Sequence, residues 1–342
     1  MVKLFIALLV FLSFFCTSVA FPLPALAFPT DEQILELNNS VVKVHVSDKN
    51  GDYSIGSGVV VSENHVATSC HVIANALSAR VAREGKRYTP IALKADWRHD
   101  LCILKFDDLP LKPLPLGDSS NLKYEQEVFS LGFPQNSPKP QPSLGYIKAL
   151  YPFDDSVIIR TSAGFRLGAS GGPLLDDEGK VIGITTFKSP GRYNSFYYSL
   201  PVEWVKQLLT QPDILISAQK EAPFWDAPEE QRPFFMQIVP PLKEEMWGDL
   251  EQLAKTWCGK EDINAEAWYY LGLAEYHQKN SKDATEHLQK AIALNKQHSA
   301  AYLQLGLIAA EQGNKNEAQR ISLILSAFDA EAAEVLNKAA GP

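Results

Sequence analysis

Five positions recur in the last quarter of this 342-residue chain at one constant spacing of 34. Trp268 pairs with Tyr302, Leu271 with Leu305, Gly272 with Gly306, Asn280 with Asn314, and Ala284 with Ala318. A repeat of that length fits two helices and their turns. The glycine and alanine let the helices approach closely, and the leucine and aromatic positions fill the layer between them. One such unit cannot bury its own apolar face, so two units need capping helices. Leu242 to Cys258 has helical spacing and is expected to supply one cap, with Ala330 to Ala340 as the other. An ordinary helical bundle is the alternative. Five matches at one period argue against it.

The chain before this repeat is of another kind. Its apolar residues fall in short β-branched runs that stop after Leu209. Residues 211 to 242 then carry Pro212, Pro223, Pro228, Pro233, Pro240 and Pro241, which mark an extended connector. Trp225, Phe234, Phe235 and Met236 within it suggest that it packs on a neighbour. The expected organisation is a β domain over 28–210, a connector over 211–242 and a helical domain over 243–342, with repeats at about 267–300 and 301–334. With 46% apolar and 21% charged residues, the composition is that of a globular chain long enough for two or three full cores.

The chemistry is carried by the β part. Gly168-Ala169-Ser170-Gly171-Gly172-Pro173 puts a serine between glycines, ahead of an apolar run. Serine alone is a weak nucleophile. It needs a histidine base, an acid to orient that base, and backbone N–H groups aimed at the developing oxyanion. Gly168 and Ser170 can offer two such N–H groups side by side, because Gly168 has no Cβ in the way. A glycine-rich turn with an incidental serine is the plain alternative, and it weakens because partners lie upstream. Val59-Val60-Val61 and Val66-Ala67-Thr68, split by Ser62-Glu63-Asn64, read as a β-hairpin that leads to His71. Of the other histidines, His45 alternates with valines, His65 falls in the hairpin turn, and His99 adjoins the acid and is expected to be exposed. His277, His287 and His298 lie in the helical part. The acid is Asp100, which leads into the apolar run LCIL. Asp96 competes, but Trp97-Arg98-His99 after it is no buried strand.

On the pieces GSGVVVS, TSCHVI, DLCILK, LGFP (131–134), LGYIKAL (144–150), GASGGPLLDDEGKVIGI and YYSLPVEWV (197–205), residues 38 to 210 resemble the HtrA-type (high-temperature-requirement) serine proteases of the trypsin-like superfamily. The order His71, Asp100, Ser170 matches, as does the Thr-x-x-His context of His71. The resemblance implies an all-β double barrel with the three residues in the cleft between barrels, and peptide-bond hydrolysis with no metal and no cofactor. It implies an oxyanion hole from the N–H groups of Gly168 and Ser170. It also implies a primary pocket walled by Ala163 to Leu167, Thr186 to Lys188 and Tyr197 to Leu200. The substrate-facing residues expected there are Gly164, Thr186, Phe187, Lys188 and Tyr198. A one-residue slip would turn Tyr197 inward instead. No acid lies at this pocket's base, so small or medium apolar side chains are expected in it. Two features depart from the family. Ala169 stands where these enzymes carry asparagine or aspartate, which argues against activation by a newly cut N-terminus. Gly164-Phe165-Arg166-Leu167 replaces a more polar run. It is expected to be ordinary wall and surface, with a switch of the oxyanion loop as the alternative.

The 34-residue period resembles the tetratricopeptide (TPR) repeat. That implies an all-α repeat domain able to hold a protein or peptide partner in a groove, or simply to brace the β domain. It stands where HtrA-type enzymes commonly carry a PDZ domain. The net charge of −8 lies mostly in the C-terminal part, and no basic patch points to nucleic acid. Lys3, the apolar run Leu4 to Phe15 and Ala25-Leu26-Ala27 read as a cleaved signal peptide over 1–27. Export to the periplasm or medium, without a stable membrane anchor after cleavage, is therefore expected. Cys70, Cys102 and Cys258 would remain. Small buried thiols are the expected state of Cys70 and Cys102, with a disulfide as the alternative. Two functions stay open: an exported serine endopeptidase with a partner-binding helical module, and a silent protease-like binding or chaperone protein.

Overall fold

The computed structural model describes residues 29–47, 53–74, 76–135, 137–190, 195–216 and 221–341, so the expected signal segment lies outside the described residues. Helix α1 (Asp31–Asn38) leads into the first lobe, whose strands are β1 (Val41–Ser47), β2 (Tyr53–Ser62), β3 (His65–Ser69), β4 (Ser78–Arg83), β5 (Lys86–Tyr88), β6 (Ala92–Asp96) and β7 (Leu101–Lys105). A short helix, α2 (Cys70–Ile73), follows β3. These strands form one antiparallel sheet in the order β5-β4-β1-β2-β3-β7-β6. The second lobe is a closed six-stranded barrel of β8 (Glu127–Gly132), β9 (Gln141–Phe153), β10 (Ser156–Thr161), β11 (Pro173–Leu175), β12 (Val181–Pro190) and β13 (Ser195–Pro201), ordered β10-β13-β12-β11-β8-β9. Two β-rich lobes are thus present, but only the second is a hydrogen-bonded closed barrel among the described residues.

The continuous apolar runs of the sequence are explained by burial on both faces. Val60, Val66, Cys102 and Leu104 face the interior of the first lobe. Their neighbours Val59, Val61, Ala67, Leu101 and Ile103 turn the other way and join Phe129 and Leu131 of the second. A strand whose successive side chains point to opposite faces needs apolar residues throughout when both faces are covered.

After helix α3 (Val202–Leu209) the chain passes through two 3-10 turns, Phe224–Asp226 and Glu229–Gln231, and two short helices, α4 (Phe234–Gln237) and α5 (Val239–Lys243). The connector is therefore turned and packed, not extended. The single helix expected over 242–258 is broken. Glu245 takes φ +57°, and α6 (Trp247–Lys260) begins afresh. Four helices then carry the repeat: α7 (Ala265–His277), α8 (Ser281–Leu294), α9 (Ser299–Glu311) and α10 (Lys315–Leu325), closed by α11 (Ala330–Ala340). Asn280 and Asn314, one period apart, cap α8 and α10 by accepting from Asp283 N and Glu317 N. The repeated glycine is a close-approach position: a Cβ on Gly272 would lie 2.8 Å from Leu288 Cγ and 3.0 Å from the Ala284 carbonyl.

The helices do not stand apart from the barrel. One core runs from Phe129 through Tyr151, Trp204 and Phe235 to Trp257, Tyr270 and Leu273. Buried polar groups cross the same boundary. Arg160 of β10 donates to the Tyr270 hydroxyl (2.8 Å), and Tyr124 donates to Glu266 of α7 (2.9 Å). His298 Nε2 lies 3.1 Å from Glu266, whose carboxylate is fully buried. Burial pushes the Glu266 carboxyl up, but His298, Arg160 and the Tyr124 hydroxyl outweigh it and hold it below the ordinary value.

A carboxyl held low in the folded state stabilises the fold above its ordinary pKa, and loses that contribution as pH falls through the folded value. Glu266→Gln is expected to cost about 3–5 kcal/mol at pH 7, because it leaves the buried Arg160 guanidinium without its counter-charge. Urea melts of both proteins from pH 7 to pH 3 check this. The gap between them should narrow below about pH 4.

Candidate active site

His71 sits in α2, two residues past the end of β3, and Asp100 sits one residue before β7. Strands β3 and β7 pair with Ser69 opposite Leu101, so the two residues meet at one end of a ladder. His71 is held twice by the same carboxylate. Its backbone N–H donates to Asp100 Oδ1 at 2.7 Å, and its ring Nδ1 lies 2.7 Å from Oδ2. This leaves Nε2 without a hydrogen bond among the described residues, on a side chain 30% exposed, while the Asp100 carboxylate is fully buried. Asp100 takes φ +64°, a left-handed conformation that a non-glycine residue adopts at a cost. Its carbonyl accepts from Cys70 N, closing the turn. Cys70 and Cys102 are joined by a disulfide with a Cα–Cα distance of 4.9 Å, not held as free thiols as expected. The reason is the same register: Cys102 lies opposite Thr68, two residues before Cys70.

Asp96, the competing acid, is engaged elsewhere. It accepts from His99, which also bonds Asp154 and stacks on Trp204 at 3.9 Å. His99 is thus a partly buried structural group and not an exposed one. Both carboxylates favour its charged form, and although burial opposes them its pKa is raised.

Ser170 reaches the same place from the barrel of the second lobe. Its carbonyl accepts from Ser57 N at 2.8 Å. A Cβ on the following Gly171 would lie 2.2 Å from the Ser57 carbonyl and 2.3 Å from Thr68 Oγ1. Only glycine allows the turn to press this closely on the strands that lead to His71. The Ser170 side chain is half-buried and therefore reachable. Among the described residues no hydrogen bond joins its Oγ to His71. Gly168 takes φ +94°, and a Cβ there would lie 2.7 Å from the Phe133 carbonyl. The intervening Ala169 N–H is spent on the Arg166 carbonyl at 2.9 Å. No hydrogen bond engages the N–H groups of Gly168 and Ser170 among the described residues.

The expected wall residues separate into two sets. Thr186 does not face the pocket: it is buried, and its hydroxyl donates to Asp100 Oδ2. Tyr198 does not face it either. It is fully buried, stacked on Phe187 at 4.6 Å and packed on Phe235. Tyr197 turns inward in its place. A Cβ on Gly164 would lie 3.1 Å from Tyr197 Cζ, and Phe165 packs edge-on against the same ring at 5.2 Å. The slip has a cause. Between Thr185, opposite Ser199, and Lys188, opposite Tyr197, β12 spends one more residue than β13, and such a bulge re-aims the side chains around it. Phe165 is buried, while Arg166 and Leu167 are exposed, in keeping with wall and surface roles. Phe187 is half-buried and Lys188 exposed beside the site.

One residue at the site comes from the connector. The Trp225 indole meets the His71 ring edge-on at 5.5 Å and donates from Nε1 to Asp100 Oδ2 at 3.3 Å.

The chain is similar to known proteins in two stretches. Residues 56–184 match the Trypsin-like peptidase domain, and residues 265–298 match the Tetratricopeptide repeat. The chain is 34% identical over 158 residues to a probable periplasmic serine endoprotease DegP-like of Halomonas elongata, covering 44% of this chain and 33% of that protein. It is 31% identical over 172 residues to Protease Do-like 1, chloroplastic, of Arabidopsis thaliana, covering 46% and 38%. It is 29% identical over 223 residues to the serine protease Do-like HtrA of Bacillus subtilis, covering 59% and 48%. Among solved structures, the serine endoprotease from Yersinia pestis is 24% identical with a TM-score of 0.46, covering 52% of this chain and 63% of that one. The chain spans about a third of the length of the first of these curated relatives. It carries a trypsin-like peptidase domain followed by a helical region with a TPR.

Gly168→Ala is expected to destabilise the protein by about 1–3 kcal/mol, since it combines a left-handed backbone with a contact against a carbonyl. Thermal unfolding compared with wild type reads the loss directly.

Proposed function

We propose that this chain is an exported serine endopeptidase. The observation that carries the reading is His71 clamped through two bonds to the buried Asp100, beside a reachable serine on a glycine turn with two unengaged N–H groups. In this mechanism Ser170 Oγ attacks the scissile carbonyl carbon, and its proton passes to His71 Nε2. The N–H groups of Gly168 and Ser170 take the oxyanion. Collapse breaks the C–N bond, and His71 returns the proton to the leaving amine. Water, deprotonated by His71, then attacks the acyl-enzyme and frees Ser170. Asp100 holds the imidazole tautomer and stabilises its charged form throughout.

Export is supported by the signal-like N-terminal pattern and by the Cys70–Cys102 disulfide, which persists best in an oxidising compartment. For the helical region, bracing is the better supported of its two roles. Glu266 and Tyr270 of α7 are buried and bonded to Tyr124 and Arg160 of the β domain. A catalytically silent binding protein is the second reading. It is favoured by the missing hydrogen bond between Ser170 and His71, although catalytic hydrogen bonds often tighten only when substrate is bound.

Ser170→Ala is expected to lower casein cleavage by about 10⁴-fold or more and to abolish labelling by a fluorophosphonate, with unfolding temperature unchanged. A wild-type protein that takes no label would favour the silent reading. The Tyr197 ring lies against Gly164 and, among the described residues, no acid lines the cavity there, so cleavage should fall after Ala, Val or Leu. Tyr197→Ala should shift that preference toward Phe and Met, as read by mass spectrometry of cleavage sites in a denatured protein mixture. A dominant Lys or Arg would overturn the pocket assignment and leave the triad standing.

A further inference from the structure

The connector reaches the site in an ordered way. Phe224 is buried, donates its N–H to the Arg98 carbonyl at 2.9 Å, and packs on Phe153 at 4.7 Å. Asp226 N–H closes the turn onto the Pro223 carbonyl. Trp225, held between them, is half-buried and projects onto three groups at once. It meets the His71 ring at 5.5 Å with the planes at 86°, it lies 5.7 Å from the Phe187 ring, and its Nε1–H reaches Asp100 Oδ2. That oxygen already receives His71 Nδ1 and Thr186 Oγ1. The indole thus adds a further donor to the one buried carboxylate of the site and covers it from solvent. Downstream the same segment is anchored: Phe235 stacks on Tyr151 at 4.4 Å, and Phe234 stacks on Trp257 of α6 at 5.9 Å.

We propose that Trp225 is both a positioning residue for the Asp100–His71 pair and a specificity-determining wall of the subsite next to the primary pocket, a proposal that rests on the proteolytic reading. Successive side chains of an extended peptide point to opposite sides. With one side chain in the pocket floored by Gly164 and Tyr197, the preceding one faces His71 and Phe187. Trp225 stands there. Its indole limits that position to small side chains, and its N–H fixes the carboxylate that orients the base. The wall is furnished by the connector and not by either β lobe.

Subsite profiling and steady-state kinetics of Trp225→Ala and Trp225→Phe test both roles, with fluorophosphonate labelling run in parallel on the wild type. Trp225→Ala removes the wall. Its preference for bulky over small residues at the position before the primary one should rise roughly 10-fold or more. Trp225→Phe keeps the ring contacts and removes the donor. Its kcat should fall about 3- to 10-fold while KM stays within about two-fold, because a lost hydrogen bond to a charged group is felt in orientation and not in substrate contact. Trp225→Leu replaces Trp225→Ala as the profiling variant if circular dichroism shows that the alanine protein has lost its fold. An unchanged profile overturns the specificity role, and an unchanged kcat in Trp225→Phe overturns the positioning role, while a labelled and active wild type keeps the proteolytic reading in place. A wild type that neither labels nor cleaves overturns both.

Discussion

The Asp100 carboxylate is the point on which the site depends. It is fully buried, and a buried charge is tolerated only when its lone pairs are met. Here they are met from three separate stretches of chain: His71 after β3, Thr186 on β12, and Trp225 in the connector. None of the three can be withdrawn without leaving the charge short of partners. The left-handed backbone at Asp100 adds a local cost, which the Cys70–Cys102 bond and the Cys70 N–H to Asp100 carbonyl bond help to hold. The two β lobes and the connector are therefore not docked at an indifferent surface. Their docking satisfies one anion.

A second constraint lies on the far side of the barrel. Arg160 is almost fully buried in β10, and Glu266 is fully buried in α7. Each would be costly alone. They are linked through Tyr270, Tyr124 and His298, so polar groups of the barrel and of the helices complete one another's needs. At the rim, Ser299 donates to Glu125 at 2.7 Å and Lys148 lies between Glu125 and Asp329. A tetratricopeptide pair offers an apolar face and a row of polar positions to whatever lies beside it. In this chain the neighbour is its own barrel.

Much of this was legible in the residues. The glycine-bracketed serine, the histidine after a β-hairpin and the aspartate ahead of an apolar strand carry their chemistry in local pattern, and the structure brings their three segments together. The 34-residue period was equally legible, because close approach of helices demands a small residue at fixed places. Other features depend on geometry that no local pattern holds. Whether Tyr197 or Tyr198 turns inward is set by a bulge in β12, and a bulge moves parity by one without a mark in β13. Thr186 reads as a pocket-wall residue on the resemblance until the carboxylate beneath it is seen. The disulfide follows from which strands are neighbours. Trp225 is 125 residues from Asp100 in sequence, and its only signal was an aromatic residue too costly to leave loose in a proline-rich stretch. Charge pairs such as Arg160 and Glu266 are invisible for the same reason: burial of each depends on the other.

The connector joins these two constraints physically. Its aromatic residues reach from the His71 ring, at Trp225, to Trp257 on α6, at Phe234, with Phe224 and Phe235 between them packed on barrel rings. Close-packed interiors are barely compressible and transmit strain, because side chains interdigitate in discrete rotamers and leave few voids. A strap of stacked rings is stiff in this sense. If the helices sit on the barrel, Phe234 and Phe235 are fixed, the turn at Phe224 is fixed against Arg98 and Phe153, and Trp225 has one place to go. Were the helices to leave, Phe234 would lose its stack on Trp257, while Phe224 and Phe235 would keep Phe153 and Tyr151 of β9. The helical region is thus tied to the proposed catalytic groups through packing, by a route of rings that runs through Tyr151, Tyr198 and Phe187 of the barrel.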